Sequence, residues 1–398
     1  MIRSKRNRAL LVAIAMVMII AASARLKADT GTCGDTSITL PFVDVPAGSI
    51  FFCSIAEAYV LALTGGTDPT HYSPSANVTR EQMAAFVTRT MDQSLSRGSK
   101  RAALNQYWTT QNPENFGLTD VGSAPARIQS DGSDVWTANS SDSTLSRVRA
   151  SDGKLLETWS VPNVAGGVLC AMGKVFVAGS FSPGTLYRID PAQPPGAVTT
   201  VANTLGEFPS NIAYDGQRIW TANGDGSVSI ITLNPVTVTT VPIGVFLAGI
   251  IYDGSNMWVS DANGSGGKLH KLDSNGAIVL SVDFGNSPQR PAFDGTNIWV
   301  PRFTANAVTV VRATGALSGT VIATLTGNGL SQPRQAAFDG ERILVTNPNA
   351  NSVSLWKASD LTTIGTFSTG AGTFPQAACS DGVNFWVTLQ AVNKLARF

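Results

Sequence analysis

The chain repeats one hairpin motif, which reads Asp253-Gly254-Ser255-Asn256-Met257-Trp258 in its fourth copy. Four further copies keep the Asp-Gly pair and the tryptophan, and two degenerate copies complete a set of seven. The reference glycines are Gly132, Gly173, Gly216, Gly254, Gly295, Gly340 and Gly382. They are separated by 41, 43, 38, 41, 45 and 42 residues. With four short strands per repeat, this period matches one blade of a β-propeller.

The residue types of the motif fit a blade. The Asp-Gly pair supplies the positive φ angles of a tight turn between the first two strands, and the tryptophan ring packs between neighbouring sheets. A single blade cannot bury that ring alone. We therefore predict a mainly β fold, a seven-bladed β-propeller over residues 116–398. We interpret the tryptophans as core and the aspartates as turn residues, rather than as a cofactor box or calcium ligands.

The ends of the array predict how the ring closes. The last repeat stops at Phe398 one strand short of a full blade. Residues 116–122, Phe-Gly-Leu-Thr-Asp-Val-Gly, resemble the missing fourth strand, and they precede Pro125 as other fourth strands precede a proline. We predict that this N-terminal strand closes the ring and removes an exposed sheet edge.

The N-terminus has the pattern of a signal peptide. Basic residues between Arg3 and Arg8 precede an apolar run from Ala9 to Ala22, which small residues follow. The run is shorter than the roughly 20 residues of a membrane-spanning helix, although a membrane anchor is the alternative interpretation. We predict that residues 1–28 are removed after Ala24 or Ala28, that no transmembrane span remains, and that the protein is secreted to the periplasm or cell surface.

The charge composition argues against a nucleic-acid partner, and the cysteines predict one disulfide. The net formal charge is +1 and 14% of residues are charged, so the composition gives no support for a nucleic-acid partner. In an exported chain Cys33 and Cys53 are expected to form a disulfide. We interpret Cys170 and Cys379 as free buried thiols, and we expect a monomer.

Residues 29–95 form a separate helical module in this interpretation. The first predicted helix, residues 54–63, places Ile55, Tyr59, Val60 and Leu63 on one face. The second begins at Thr79, whose hydroxyl and the Gln82 side chain suit reciprocal capping. Its apolar stripe comprises Met83, Phe86, Val87 and Met91. We expect one small core between the two helices, and a polar linker over residues 96–115.

The module resembles the S-layer homology family. The resemblance is carried by Phe42-Val43-Asp44-Val45, by Tyr72-Ser73-Pro74, and by residues 78–86, Val-Thr-Arg-Glu-Gln-Met-Ala-Ala-Phe. It implies a surface-associated protein, in some relatives held to cell-wall polysaccharide by a Thr-Arg pair that corresponds here to Thr79 and Arg80. Only one copy is present where wall-anchoring proteins usually carry three, and Gln82 replaces a frequent acidic residue. The alternative interpretation is a spacer or docking module in which Arg80 is solvated.

Residues 116–398 look like the propeller superfamily of YVTN, NHL and streptogramin-lyase-like repeats. The resemblance rests on stretches such as residues 218–223, Arg-Ile-Trp-Thr-Ala-Asn, and residues 256–261, Asn-Met-Trp-Val-Ser-Asp. That superfamily contains lyases, redox enzymes and binding scaffolds, so the resemblance implies the fold and leaves the activity open.

Strand ends opposite the Asp-Gly turns give a candidate ligand-binding face. Its residues precede the reference glycine by five positions or follow it by seven. The candidates are Arg127, Asn211, Arg290, Gln335, Asn223, Asp261 and Arg302. Arginines with amides suit an anionic or polyhydroxylated ligand. The alternative is that these residues cap strand ends and hydrate the mouth of the channel.

The sequence favours binding over catalysis. His71 and His270 have no visible partner, and no nucleophile elbow or phosphate-binding glycine loop occurs. We predict an envelope-associated propeller scaffold that needs no cofactor or metal and binds cell-wall polysaccharide, another glycan or a protein. The alternatives are a propeller lyase or hydrolase, and a purely structural envelope protein.

Overall fold

The computed structural model of the chain describes most of the residues beyond the N-terminus. The described residues are 28–33, 36–60, 63–87, 117–162, 165–196, 198–264, 266–285 and 287–398. The apolar run of the predicted signal peptide and the predicted linker lie outside these residues. The chain divides into two units, residues 1–97 and residues 98–398, which are described separately below.

The N-terminal unit contains a hairpin of β1 (Thr30–Cys33) and β2 (Thr36–Thr39) and the helix α1 (Phe52–Val60). A disulfide joins Cys33 to Cys53, with Cα atoms 5.5 Å apart. Residues 80–87 are also helical. None of the helices in the described residues has the length and apolar character that a membrane crossing needs.

The core of this unit differs from the predicted one. Its buried residues are Leu40, Phe42, Val45, Phe52, Ile55 and Ala56. The core therefore lies between α1 and the segments that precede it, rather than between two helices. Tyr59 and Val60, which were predicted on the buried face, are 38% and 68% exposed. Tyr59 still packs its ring edge-on against Phe42, with ring centroids 5.2 Å apart, whereas Val60 lies mostly outside the core.

The C-terminal unit contains seven antiparallel sheets of four strands in its described residues. Numbered along the chain, the first strands of blades 1 to 7 are β4 (Pro125–Ser130), β8 (Ala165–Ala171), β12 (Pro209–Tyr214), β16 (Leu247–Tyr252), β20 (Ala292–Phe293), β24 (Ala336–Phe338) and β28 (Pro375–Ser380). The second strands are β5 (Asp134–Asn139), β9 (Lys174–Gly179), β13 (Ile219–Asn223), β17 (Met257–Asp261), β21 (Asn297–Arg302), β25 (Arg342–Asn347) and β29 (Phe385–Leu389). The third strands are β6 (Thr144–Arg149), β10 (Gly184–Ile189), β14 (Ser227–Leu233), β18 (Lys268–Leu272), β22 (Ala307–Arg312), β26 (Ser352–Lys357) and β30 (Lys394–Arg397). The fourth strands are β7 (Leu155–Ser160), β11 (Thr199–Leu205), β15 (Val236–Pro242), β19 (Ile278–Asp283), β23 (Val321–Thr326), β27 (Thr363–Ser368) and, in blade 7, β3 (Leu118–Asp120).

The blades form a closed ring around a channel. The first strand of every blade contacts the first strand of the next, including β28 with β4. Short 3-10 helices at Pro348–Ala350 and Gln390–Val392 follow the second strands of blades 6 and 7. The prediction of a mainly β, seven-bladed propeller is confirmed.

The motif aspartates join each turn to the core. In blade 4, Asp253 Oδ1 accepts hydrogen bonds from the backbone N–H groups of Ser255 and Asn256, at 2.8 and 2.7 Å. Its other oxygen accepts the indole N–H of Trp258 at 2.7 Å. The same indole-to-carboxylate bond occurs in four other blades, from Trp136, Trp220, Trp299 and Trp386. The aspartates therefore anchor the tryptophans as well as the turns.

The two degenerate motifs replace this arrangement in different ways. In blade 2, Met172 and Gly173 both have positive φ, 54° and 66°, so the turn needs no carboxylate cap. In blade 6, Asp339 keeps its turn bonds but accepts Arg342 Nε at 2.7 Å in place of an indole.

The N-terminal strand β3 completes blade 7. Leu118, Thr119 and Asp120 pair with Ala396, Leu395 and Lys394. Asp120 forms an ion pair with Lys394, and the Thr119 hydroxyl donates to the Gly153 carbonyl at 2.6 Å. The bond to Gly153 links the closing strand to blade 1.

Replacement of Trp258 tests the anchoring bond. Trp258→Ala should lower the free energy of unfolding by about 3 to 5 kcal/mol, because it empties a fully buried site. Trp258→Phe should cost about 1.5 to 3 kcal/mol, since it leaves one oxygen of the buried Asp253 carboxylate without its donor. Urea unfolding measures both. Trp159→Phe is the control, because its indole bonds at 3.3 Å to the partly exposed Glu157. Equal losses in the two Phe variants would contradict the anchoring role of Asp253.

Removal of the closing strand tests the ring. A chain that starts at Ser123 should expose the unpaired backbone of β30, aggregate more and unfold at a lower temperature than one that starts at Asn115. Light scattering and thermal unfolding compare the two. Equal stability and an equal monomer fraction would show that β3 is dispensable.

Candidate functional site

The central channel contains a cavity of about 560 Å³. Residues from the innermost segments of all seven blades line it. Because each first strand runs toward its Asp-Gly turn, the sequence position along the strand gives depth in the channel. We call the side with the Asp-Gly turns the turn face, and the other side the loop face.

Arg290 lies at the loop-face end of the cavity. Its side chain lines the cavity, yet the residue is only 6% exposed. The buried Nε and Nη1 atoms have no hydrogen-bond partner among the described residues. Buried guanidinium nitrogens without acceptors are rare, because their desolvation is uncompensated. Arg290 is therefore the polar group of the channel that most needs a partner.

The backbone fixes Arg290 from both sides. Its N–H donates to the Arg334 carbonyl at 3.1 Å, and its carbonyl accepts the Ala336 N–H at 3.1 Å, so blade 5 is tied directly to blade 6. On the blade 4 side, a Cβ at Gly249 would lie 2.8 Å from the Arg290 Cα atom. Only glycine permits this approach, and the arginine is held in place by main-chain contacts.

Two further arginines surround Arg290. Arg127 of blade 1 crosses the channel and donates from Nε to the Ser210 carbonyl of blade 3 at 2.9 Å. Arg334 of blade 6 places its guanidinium 4.6 Å from the centre of the Phe303 ring. Burial lowers the pKa of Arg290 well below its usual range, and the positive charges of Arg127 and Arg334 add to the effect. Burial, with the charge of Arg334, lowers the pKa of Arg127 to about 10.

The lowered pKa values of these arginines reflect positive charge that no nearby carboxylate of the described residues balances. A guanidinium stays protonated at physiological pH, so the lowered pKa values express the cost of holding three cations close together out of water. None of the ion pairs in the described part of the chain includes Arg127, Arg290 or Arg334. An anion in the cavity would supply the missing charge and the missing acceptors.

The other predicted face residues divide into two groups. Asn211 and Gln335 line the cavity with Arg290, and Gln335 Nε2 donates to the Ala378 carbonyl at 2.7 Å. Asn223 and Asp261 are buried at the ends of β13 and β17. The Asn223 amide donates to Ser227 and Ser229, both at 3.0 Å. Asp261 accepts the backbone N–H groups of Val245 and Phe246.

Arg302 stands apart from the other arginines. Its Nη2 donates to the Phe284 carbonyl at 2.6 Å, and its guanidinium lies 5.6 Å from the centre of the Phe284 ring. These contacts join blade 5 to the outer end of blade 4. The structure thus brings together Arg127, Arg290, Asn211 and Gln335, whereas Arg302, Asn223 and Asp261 bond to other parts of the scaffold.

Arg334, whose positive charge acts on Arg290, and four aromatic residues of the cavity were missed from the sequence. Arg334 precedes the predicted position in blade 6 by one residue, because regular pairing in that blade begins only at Ala336. Tyr214, Tyr252, Phe293 and Phe338 line the turn-face end. They share one position, two residues before the reference glycine. The recurrence of an aromatic residue at this position in four blades could have indicated them from the sequence.

The predicted wall-binding pair lies on the surface of the N-terminal unit. Thr79 and Arg80 are exposed. The Thr79 N–H donates to Gln82 Oε1 at 2.9 Å and the Gln82 N–H to the Thr79 hydroxyl at 3.2 Å. This capping box begins the helical residues 80–87.

Neither histidine lines the channel cavity. His71 is hydrogen-bonded through Nδ1 to Asp68 in the N-terminal unit, at 3.1 Å. His270 is buried in β18, where burial lowers its pKa and its Nδ1 atom lies 2.8 Å from the Ser281 hydroxyl. No cluster of metal-ligating side chains occurs in the described ranges.

The fold and its channel define the protein as a seven-bladed β-propeller. Solved structures that share the fold include hydrazine synthase from Kuenenia stuttgartiensis, with a TM-score of 0.58 and 16% identity over 72% of this chain and 98% of that chain. Virginiamycin B lyase from Staphylococcus aureus gives a TM-score of 0.59 and 15% identity over 71% and 99%. A streptogramin B lyase gives 0.58 and 16% over 71% and 96%. The resemblance to streptogramin-lyase-like propellers is confirmed for the fold, which is all that such identities show.

Comparisons of sequence give no family. No protein-family profile matches the chain, and no curated protein is significantly similar to it. The resemblance to S-layer homology modules stays a prediction.

The thiols of Cys170 and Cys379 provide a test of the cavity. Both residues line it. Burial raises the pKa of each thiol above its ordinary range, and nearby aspartates add to the effect. Only the thiolate reacts with iodoacetamide, so at pH 8 the folded protein should be alkylated at least about tenfold more slowly than the unfolded protein. The rate should keep rising well above pH 8.5. Both cysteines are partly exposed rather than fully buried as predicted. Mass spectrometry measures the modification, and labelling as fast as in the unfolded chain would contradict the raised pKa values.

Proposed function

We propose that the protein is an exported binding propeller that holds a small anion in its central channel. The observation that carries this proposal is Arg290, which lines the cavity while two of its buried nitrogens have no partner. Arg127 and Arg334 add positive charge, and Asn211 and Gln335 add amides at the same depth. The cavity volume of about 560 Å³ is in the range of small-molecule sites.

The chemistry of the cavity favours a carboxylate or a phosphate. A guanidinium presents its donors in a plane that matches two oxygens of such a group. A turn of the guanidinium that brings Nε or Nη1 to the cavity surface would let an anion satisfy these buried nitrogens and lower the repulsion among the three arginines. Part of the binding free energy would come from removing the desolvation and repulsion cost of these arginines. The backbone of Arg290 is already fixed by its hydrogen bonds to blade 6, so the main chain needs little rearrangement.

Export and surface association complete the proposal. The basic and apolar segments at the N-terminus support secretion to the periplasm or cell surface. The exposed Thr79 and Arg80 support contact with a cell-wall polysaccharide or another glycan, or with a protein partner. The propeller would then present its channel at the envelope.

A propeller lyase is the alternative function, and the fold is equally compatible with it. We favour binding because the polar groups at the level of Arg290 are arginine and amide donors, while burial raises the pKa of the Cys170 and Cys379 thiols and keeps them protonated. The arginine and amide groups hold an anion but are poor proton acceptors.

An Arg290 variant tests the proposal. Acetate, phosphate and phenylacetate are added in turn at constant ionic strength, and the thermal unfolding midpoint is followed as each concentration rises. At least one of them should stabilise the wild-type protein, and Arg290→Met should weaken that effect by about tenfold or more because charge-assisted hydrogen bonds are lost. Arg188→Met is the control, since Arg188 is an exposed arginine on blade 2.

Without an added anion, Arg290→Met should unfold at or above the wild-type midpoint, because it removes an unpaired buried charge. The binding proposal is overturned if none of the three anions stabilises the wild type, or if Arg290→Met and Arg188→Met respond alike.

A further inference from the structure

The turn-face end of the cavity carries aromatic side chains on four successive blades. They are Tyr214, Tyr252, Phe293 and Phe338, from blades 3 to 6. All four are partly buried against the neighbouring blade cores, and each also lines the cavity. We call these four residues the aromatic collar. Aromatic rings fixed in this way offer a stacking surface to a planar apolar group.

Polar groups at this end of the cavity are already engaged. The Tyr214 hydroxyl donates to the Gly216 carbonyl at 2.7 Å. Ser130 accepts the Gly132 N–H and donates to the Asp134 carbonyl, and Ser380 accepts the Gly382 N–H. These bonds hold the turns, so the hydroxyl groups of Tyr214, Ser130 and Ser380 are already used within the blades.

Alanine and isoleucine residues occupy the inner strands between the collar and Arg290. They include Ala213, Ile250, Ala292, Ala336 and Ala378. Small residues on several blades leave room for a ring at this depth. The cavity is therefore amphipathic along its axis, apolar toward the turn face and cationic at Arg290.

The spacing between the two ends sets the length of a ligand. Arg290 and Phe293 are three residues apart in the same inner segment, which corresponds to about 10 Å in an extended chain. The arginine and phenylalanine side chains fill part of this distance. The remainder fits one aromatic ring that a short link joins to a carboxylate. On the loop-face side, Arg127 crosses the channel to Ser210. Because this arginine reaches from blade 1 to blade 3 on the loop-face side, a ligand would enter from the turn face.

We infer that the ligand is an aryl carboxylate, which enters from the turn face with its ring among the aromatic collar and its carboxylate on Arg290. This inference rests on the proposed anion site and adds the apolar half of the ligand. The aliphatic wall and the collar bind the ring, and Arg290 fixes its orientation.

Three probes separate the two halves of the ligand. Phenylacetate carries the ring and the charge, acetate carries the charge alone, and phenylacetamide carries the ring alone. Each is titrated into the full-length mature protein by calorimetry, with thermal unfolding for weak binders. Phenylacetate should bind at least about tenfold more tightly than either of the others. Arg290→Met should reduce phenylacetate binding to the level of phenylacetamide.

Collar variants locate the ring. Phe293→Leu with Phe338→Leu should weaken phenylacetate binding about three- to tenfold and leave acetate unchanged, because stacking surface is lost while the charge remains. Phe367→Leu is the matched control, since Phe367 is a partly buried phenylalanine on β27 that does not line the cavity. Phenylacetate should also slow the reaction of Cys170 and Cys379 with methyl methanethiosulfonate, a small neutral reagent.

The outcomes distinguish this inference from the proposal on which it rests. Equal affinity for acetate and phenylacetate, with dependence on Arg290, would overturn the aryl carboxylate and keep the anion site. Phenylacetate binding that responds to the collar variants no more than to Phe367→Leu would overturn the placement of the ring. Failure of every anionic probe to bind would overturn both.

Discussion

The hydrogen bond between the motif aspartate and the motif tryptophan is the interaction on which the propeller depends. It connects the turn between the first two strands to the buried ring that fills the space beside the next blade. It also gives the aspartate carboxylate a hydrogen-bond donor that it would otherwise lack. In blades 3 and 4 a cation completes the arrangement, because Arg218 and Lys271 lie 5.2 and 5.1 Å from the ring centres of Trp220 and Trp258 and also pair with the aspartates. Bonds to a charged acceptor of this kind contribute roughly 1.5 to 3 kcal/mol each.

This repeated anchor explains why the inner strands can carry an unfavourable group. An arginine without a counter-charge costs several kcal/mol when it is buried. That cost is comparable to two or three anchoring bonds, of which the described blades contain five between tryptophan and aspartate. The ring therefore stays folded although Arg290 is unsatisfied. The anchoring bonds at the blade interfaces and turns thus offset the cost of Arg290.

The sequence predicted the fold well because its strongest signal is local and repeated. The spacing of Gly132 to Gly382 reports the size of one blade, and the turn and tryptophan residues must occur in every copy. The candidate site was predicted only in part. Asn223 and Arg302 occupy the expected strand ends. Their bonds to Ser229 and to the Phe284 carbonyl are set by tertiary packing, which the position count does not contain. Arg334 escaped the position count because the inner strand of blade 6 begins its pairing late. In the N-terminal unit, the helix pattern of Tyr59 and Val60 was misleading because helical periodicity cannot tell which of two faces meets the core.

The placement of the arginines has a consequence for selectivity. The backbone of Arg290 is fixed by hydrogen bonds to blade 6 and by the contact with Gly249, so its position in the ring is set before any ligand arrives. A charge positioned in advance in a partly enclosed channel interacts more strongly with an anion than the same charge on an exposed loop, since less solvent screens it and less ordering is required. The same rigidity penalises a neutral ligand, which would displace water from the guanidinium without replacing its hydrogen bonds. Selection of charged over neutral ligands thus follows from how the blades hold the arginine. Selection by ligand shape depends on the width of the channel between the inner strands.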